Sequence, residues 1–213
     1  LDKTPFAVGM YLLPLTLMTV IFPAVAGWVF ERRGYFIPTL FLFFVLFLSL
    51  VSQLQLGTSE RLAVMVLAFM FFGMAWGVGG VGIPIALSEH ATENAGVVSG
   101  AVTTLLNIVG VLSITVGVTV LQYFERFAVY QYFSTQGLTL STHEKSIIRS
   151  LLSQPEKIHN HIEIGTSKLY FSLSVFRSAF VQGYHAMVWL FFVLSIIGFL
   201  FVLFLSRQTK TAS

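Results

Sequence analysis

The sequence predicts an all-α integral membrane protein with five transmembrane helices. Hydrophobic residues make up 56% of the chain and charged residues only 10%, whereas about a quarter of the residues in a soluble domain are charged. The apolar residues also fall into runs of about 20 or more, the length that a helix needs to cross a bilayer. Inside a bilayer the backbone must satisfy its own hydrogen bonds, so each run is expected to be a helix.

Five runs are long enough to span, and we predict membrane spans at residues 6–29, 36–56, 62–87, 95–121 and 184–205. A β-barrel would instead need short strands of alternating polarity, and the run 40–48 does not alternate. The chain is therefore divided into four spans (1–121), a long extracytoplasmic loop with short amphipathic helices (122–183), and a last span with its tail (184–213).

A tight, charged turn separates the first two spans. The charges of Glu31, Arg32 and Arg33 cannot lie in hydrocarbon, so the chain must leave the membrane here and turn straight back. Gly27 and Gly34 flank this cluster and are expected to allow close approach and a positive φ at the reversal. The two arginines suit the carbonyl-rich end of the first span, and Glu31 can pair with them.

The orientation follows from the Lys and Arg residues in the short loops. One side carries Arg32, Arg33, Arg207 and Lys210, and the other carries only Lys3 and Arg61. The positive-inside rule places the first side in the cytoplasm, and long loops such as 122–183 cross the membrane largely regardless of charge. We therefore expect the protein in the inner membrane with its C-terminus in the cytoplasm.

The third and fourth spans are rich in small residues. Small residues four apart let helices pack closely, and glycine or proline also permits bends and unwound backbone beside a cavity. Asn107 is the polar side chain most costly to expose to lipid, so it should face the bundle interior, bonded to a neighbouring helix or lining a pathway. The candidates for helix packing or a pathway are Gly73, Gly77, Gly80, Pro84, Gly96, Ser99, Gly100 and Asn107.

The long loop is expected to hold two short helices. Ser141 and Glu144 match the capping-box pattern, apolar residues at helical spacing follow, and Pro155 should end the helix. A second amphipathic stretch, 169–180, leads into the last span. We expect both helices to lie at or near the outer membrane surface.

Few residues point to chemistry. No Asp, Glu, Lys or Arg lies in the middle of a predicted span, so no intramembrane proton or ion site is indicated. His185, at the outer end of the last span, could titrate near neutral pH or simply anchor the helix end. The chain has no cysteine, and its histidines lack companion ligands, so we predict no metal, no cofactor and no enzyme activity. The net charge of +3 is too small to suggest nucleic acid.

Several motifs together resemble the major facilitator superfamily. Pro14 and the Gly27-x-x-x-Glu31-Arg32-Arg33-Gly34 pattern look like the loop signature that this superfamily repeats in each half. The glycine-rich third span, the Gly96-x-x-Ser99-Gly100 pattern and the segment 179–185 are similar to late spans of its fourteen-span drug:proton antiporter family. The resemblance covers the whole chain as the last five of fourteen spans. It departs at Leu106, where the family can carry Arg, and at Ser113, where it has glycine.

This resemblance implies part of the carboxy-terminal bundle of a proton-coupled, multidrug-type efflux transporter that works by alternating access. The turn 27–34 would contact a neighbouring helix and gate the motion. The implied partners are an amphipathic drug-like substrate, protons, membrane lipid and the missing N-terminal half, which would hold the main proton-coupling carboxylates. A periplasmic adaptor could also join the outer loop. The alternative is a non-transporting scaffold or assembly subunit that binds partner helices through its small-residue faces.

Overall fold

The computed structural model describes residues 5–57, 62–90, 95–135, 137, 142–153 and 173–211. These residues form the helices α1 (Pro5–Arg33), α2 (Phe36–Leu54), α3 (Leu62–His90), α4 (Ala95–Thr135), α5 (Thr142–Ser153) and α6 (Leu173–Thr211). There is no strand in the part of the chain that the structure describes. All except α5 are long and apolar enough to cross a membrane. The predicted all-helical fold, with five helices able to cross a membrane, is therefore confirmed.

Two of the helices are much longer than a membrane span. The 41 residues of α4 correspond to a length of about 60 Å, roughly twice the hydrocarbon core of a bilayer. The predicted boundaries at 121 and 184 are not helix ends, because α4 continues to Thr135 and α6 already begins at Leu173. The charges of Glu125 and Arg126 can end a membrane span, but they do not interrupt the backbone hydrogen bonds of a helix.

The chain divides into two compact units. The first comprises Leu1–Leu112 and Val188–Ser213, and the second comprises Ser113–Met187. The helices α4 and α6 each contribute to both units, whereas α1, α2 and α3 belong to the first and α5 to the second.

In the first unit, α1 and α2 both pack on α3. Ala26 and Phe30 of α1 form a buried cluster with Val78 of α3, and partly buried side chains of α1, the turn and α2 pack around it. The contact between α2 and α3 contains a buried polar group. The Ser49 hydroxyl of α2 donates a hydrogen bond to the Ala68 carbonyl of α3 at 2.9 Å. This bond satisfies a hydroxyl that would be costly to bury alone.

Aromatic rings join α2 to the part of α6 in the same unit. Phe47 meets Phe192 and Phe199 edge-on, with ring centroids 5.6 and 6.0 Å apart. Phe43 meets Phe199 in the same way at 5.6 Å. Edge-to-face arrangements at these distances are the favourable ones for aromatic pairs.

The second unit has a core of its own. Ile148 and Leu152 of α5 are buried in one cluster with residues of α4 and α6, which are Ala128, Val129, Phe133, Phe176 and Ala179. The predicted α5 helix is confirmed, and protein side chains cover its apolar face. Its expected place at or near the outer membrane surface stays a prediction. Of the second amphipathic stretch, residues 173–180 form the start of α6, and residues 169–172 lie outside the described residues.

Candidate functional site

The turn between α1 and α2 is as tight as the sequence predicts, and Gly34 makes it possible. Gly34 has a φ of +68°, a conformation that disfavours residues with a β-carbon. Its N–H donates a hydrogen bond to the Phe30 carbonyl at 3.0 Å, which satisfies one of the last carbonyls of α1. The positive φ predicted for Gly34 is confirmed.

The other glycine of the motif has a different role. Gly27 lies inside α1, its φ is not positive, and a β-carbon there would meet no atom within 4 Å. The expectation of positive φ or close approach at Gly27 is therefore wrong. The reason is that α1 continues to Arg33, so the turn is confined to Gly34 and Tyr35.

The charged cluster lies on the last turn of α1 rather than in a loop. Glu31, Arg32 and Arg33 are all exposed. The Arg32 guanidinium lies 4.4 Å from the centre of the Trp28 ring, one helical turn earlier, within the range of a cation–π interaction. Both arginines also lie at the negative end of the helix dipole, where cations are favoured. That Glu31 pairs with them stays a prediction.

The Gly73-x-x-x-Gly77 face of α3 lies directly against α1. A β-carbon at Gly73 would be 2.5 Å from the Leu15 carbonyl oxygen and 3.0 Å from the Met18 β-carbon. At Gly77 it would be 3.0 Å from atoms of Phe22 and Pro23. This is the close helix contact that small residues four apart predict.

Gly80 of α3 does not share this contact. Gly80 is exposed, and a β-carbon there would meet no atom within 4 Å. Pro84 lies within α3, which stays helical to His90. The glycines and the proline therefore do not unwind this helix, and close contacts are also found at Gly79 and Gly82.

The small-residue face of α4 has the opposite surroundings. Gly96, Ser99 and Gly100 are exposed, and a β-carbon at either glycine would meet no atom within 4 Å. Thr103 and Thr104 are exposed too, and each hydroxyl donates to the carbonyl four residues earlier, at 2.9 Å. The small residues of this half of α4 are thus not packed against another described helix.

Asn107 also lies on this uncovered part of α4. The sequence predicts that it faces the bundle interior, but the structure leaves it exposed, together with almost every residue from 96 to 112. The physical cause is that no described helix of the first unit covers this half of α4.

His185 lies within α6, twelve residues from its start, so it is not a residue at a helix end. It is half-buried, and its ring centre is 6.2 Å from that of Tyr184. The expectation that it anchors the beginning of the last helix is wrong, because α6 begins at Leu173. Its titration stays a prediction.

Sequence reasoning missed a buried acidic residue in the second unit. Glu125 of α4 is only 8% exposed. Across from it, a β-carbon at Gly183 of α6 would be 2.5 Å from the Leu121 carbonyl oxygen and 3.3 Å from the Glu125 β-carbon. The sequence feature that could have indicated it is the helical spacing of Leu121, Glu125, Ala128 and Val129, which places these residues on one face of a helix that continues beyond the predicted end of the span.

The described residues contain no group of three or more His, Cys, Asp or Glu side chains that could hold a metal ion. Comparison of the chain with known protein families, with curated proteins and with solved structures finds no match.

Proposed function

We propose that the chain is the carboxy-terminal portion of a proton-coupled, multidrug-type efflux transporter of the major facilitator type, working by alternating access. The observation that carries this proposal is the uncovered polar face of α4. Ser99, Thr103 and Asn107 follow one another at four-residue spacing, so they lie on one side of a helix apolar enough to span a membrane.

A polar face of this kind does not suit contact with lipid. Amide and hydroxyl groups inside a bilayer normally bond to a neighbouring helix or line a water-filled cavity. In a transporter with a central site near the middle of the membrane, the helices around that site carry such faces. The α4 face would then form part of the wall of the substrate pathway, with amphipathic drug-like molecules as substrates.

The contact between α1 and α3 supports the same mechanism. Alternating access requires helices that move as a rigid group, and the glycine contact at Gly73 and Gly77 holds α1 and α3 closely together. The short turn at Gly34 then ties α2 to the same group. In this proposal the turn and its exposed arginines meet another helix and control the rocking motion.

One observation favours a second candidate function. The open Gly96-x-x-x-Gly100 pattern is typical of surfaces where two membrane helices associate. A non-transporting scaffold or assembly subunit would use this face to bind a helix of a partner.

Drug accumulation in cells that express the full-length gene distinguishes the two functions. A transporter lowers the drug content of the cells, and an uncoupler restores it. Asn107→Leu should raise the drug content toward that of cells without the gene, because it removes the amide from the proposed pathway. Ile108→Leu is the matched control, since Ile108 is exposed and apolar and lies about 100° around the helix.

Other results would favour the scaffold. Drug content would be independent of both the gene and the uncoupler, and the chain would co-purify with a partner subunit through α4. The proposal also predicts that residues 1–213 alone, reconstituted in vesicles, show no proton-driven uptake, because five spans cannot enclose a central site. Uptake by this chain alone would contradict the assignment to one part of a larger bundle.

A further inference from the structure

Two cavities adjoin where α1 ends and α2 begins. The first is a crevice of about 280 Å³, lined by apolar side chains that include Val25, Val29, Ile37 and Phe41. The second is an open groove of about 630 Å³, lined by Val29 and Ile37 together with Trp28, Arg32 and Arg33. Because Val29 and Ile37 line both cavities, the apolar crevice leads directly to two guanidinium groups.

We propose that the crevice and the groove together bind one anionic phospholipid of the surrounding bilayer. An acyl chain occupies the crevice against Val25 and Phe41, and the phosphate lies on Arg32 and Arg33. The site lies at the α1–α2 corner, with Val78 of α3 also lining the crevice. Its arginines are those of the turn in the proposed function, but binding a lipid of the surrounding bilayer does not require transport.

The chemistry of the two cavities matches the two parts of such a lipid. Guanidinium groups present paired donors that suit phosphate oxygens, and basic pockets between membrane helices bind anionic headgroups. Trp28, which is 54% exposed, has the side chain that is enriched at headgroup level. The acidic Glu31 of the same turn does not line the groove.

Other occupants fit less well. A free phosphate would use the arginines but would leave the apolar crevice without a ligand. A helix from a second copy of the chain could fill the crevice, but its apolar surface would bring no negative charge to Arg32 and Arg33. A phospholipid supplies both the apolar chain and the negative charge.

The test uses the fluorescence of Trp28 in the full chain. Trp76→Phe and Trp189→Phe leave Trp28 as the only tryptophan. The protein is placed in phosphatidylcholine vesicles that contain increasing amounts of either brominated phosphatidylglycerol or brominated phosphatidylcholine, since bromine quenches a nearby indole. We expect brominated phosphatidylglycerol to be preferred about 25-fold, because each of the two cations near the headgroups adds roughly a factor of five to the affinity.

Three variants locate the site. Arg32→Ala/Arg33→Ala should abolish the preference for phosphatidylglycerol over phosphatidylcholine. Arg32→Lys/Arg33→Lys should keep part of this preference, because the charges remain. Val25→Phe places a larger side chain in the crevice and should weaken quenching by both lipids while both arginines are intact. Arg177→Ala is the matched control, since Arg177 is an exposed cation of the second unit, and it should leave the preference unchanged.

Equal quenching by the two lipids in the parent protein would overturn the proposal. The same holds if the preference survives Arg32→Ala/Arg33→Ala, or if Val25→Phe changes nothing. Weak quenching by both lipids, together with self-association of the chain, would show that a second copy covers the crevice instead. Circular dichroism of each variant shows whether its helices are retained, and Val25→Phe tests the site with the charged turn unchanged.

Discussion

The two Gly-x-x-x-Gly faces of this chain have the same spacing and opposite surroundings. On α3, Gly73 and Gly77 lie against α1, so close that a β-carbon at Gly73 would be 2.5 Å from a backbone oxygen. On α4, Gly96 and Gly100 have no such neighbour. The Gly-x-x-x-Gly pattern therefore marks a helix surface that can pack closely, but it does not show whether the partner helix belongs to the same part of the chain.

The largest expected effect is at the face of α3 that carries Gly73 and Gly77, the filled face. Gly73→Ala should lower the free energy of unfolding by about 1–3 kcal/mol, because the new methyl group meets the Leu15 carbonyl oxygen and α1 must move away. Unfolding in mixed micelles, followed by circular dichroism as the fraction of denaturing detergent rises, measures this. Gly80→Ala is the matched control on the same helix, and it should cost nothing because Gly80 has open space around it. Equal losses in both variants would contradict the α1–α3 contact.

The second prediction compares the two glycines of the turn. Gly34→Ala should lower the free energy of unfolding by about 1–2 kcal/mol, because alanine must adopt the left-handed conformation that Gly34 has. Gly27→Ala should cause no loss, since Gly27 is helical and a methyl group there meets no atom. The same micelle titration measures both. A larger loss of stability for Gly27→Ala than for Gly34→Ala would contradict the structure, because it would mean that α1 ends near Gly27, before the charged cluster.

The membrane helices and α5 could be predicted from the sequence, but the full length of α4 could not. Long apolar runs predicted all five membrane helices, and the capping-box pattern predicted α5, because both depend on local properties of the chain. The extension of α4 to Thr135 was not predicted, because the fourth span was expected to end at 121 and the residues after it were expected to form a loop. Residues 122–135 of α4 instead belong to the second unit, where Glu125 is buried.

The filled and open glycine faces could not be told apart from the sequence for a related reason. Which face α1 covers is decided by the crossing of α1 and α3, and both crossing helices carry small or apolar residues on several sides. The position of Asn107 could not be predicted for the same reason. The free-energy cost of placing its amide in lipid predicted that another helix covers it, but no described helix does.

The third prediction tests the other contact of α3. Ser49→Ala should lower the free energy of unfolding by about 1 kcal/mol, because it removes the buried hydrogen bond to the Ala68 carbonyl and the bond that the Ser49 hydroxyl accepts from Gln53 within α2. Ser52→Ala is the control, since its hydroxyl bonds only to the Leu48 carbonyl of its own helix. A larger loss for Ser52→Ala than for Ser49→Ala would mean that the bond between α2 and α3 contributes little.

The smallest effect on stability is expected at the open face. Gly100→Ala should change the free energy of unfolding of this chain by less than about 0.5 kcal/mol, because the methyl group points into unoccupied space. In cells that express the full-length gene, however, the same variant should impair efflux if a helix of the transporter packs on this face. A variant that is silent in the micelle titration but defective in drug accumulation would show that the open face is completed by a partner. If Gly100→Ala changed neither the stability nor the drug content of the cells, no helix would pack closely at Gly100. The proposed pathway would then be tested by Asn107→Leu alone.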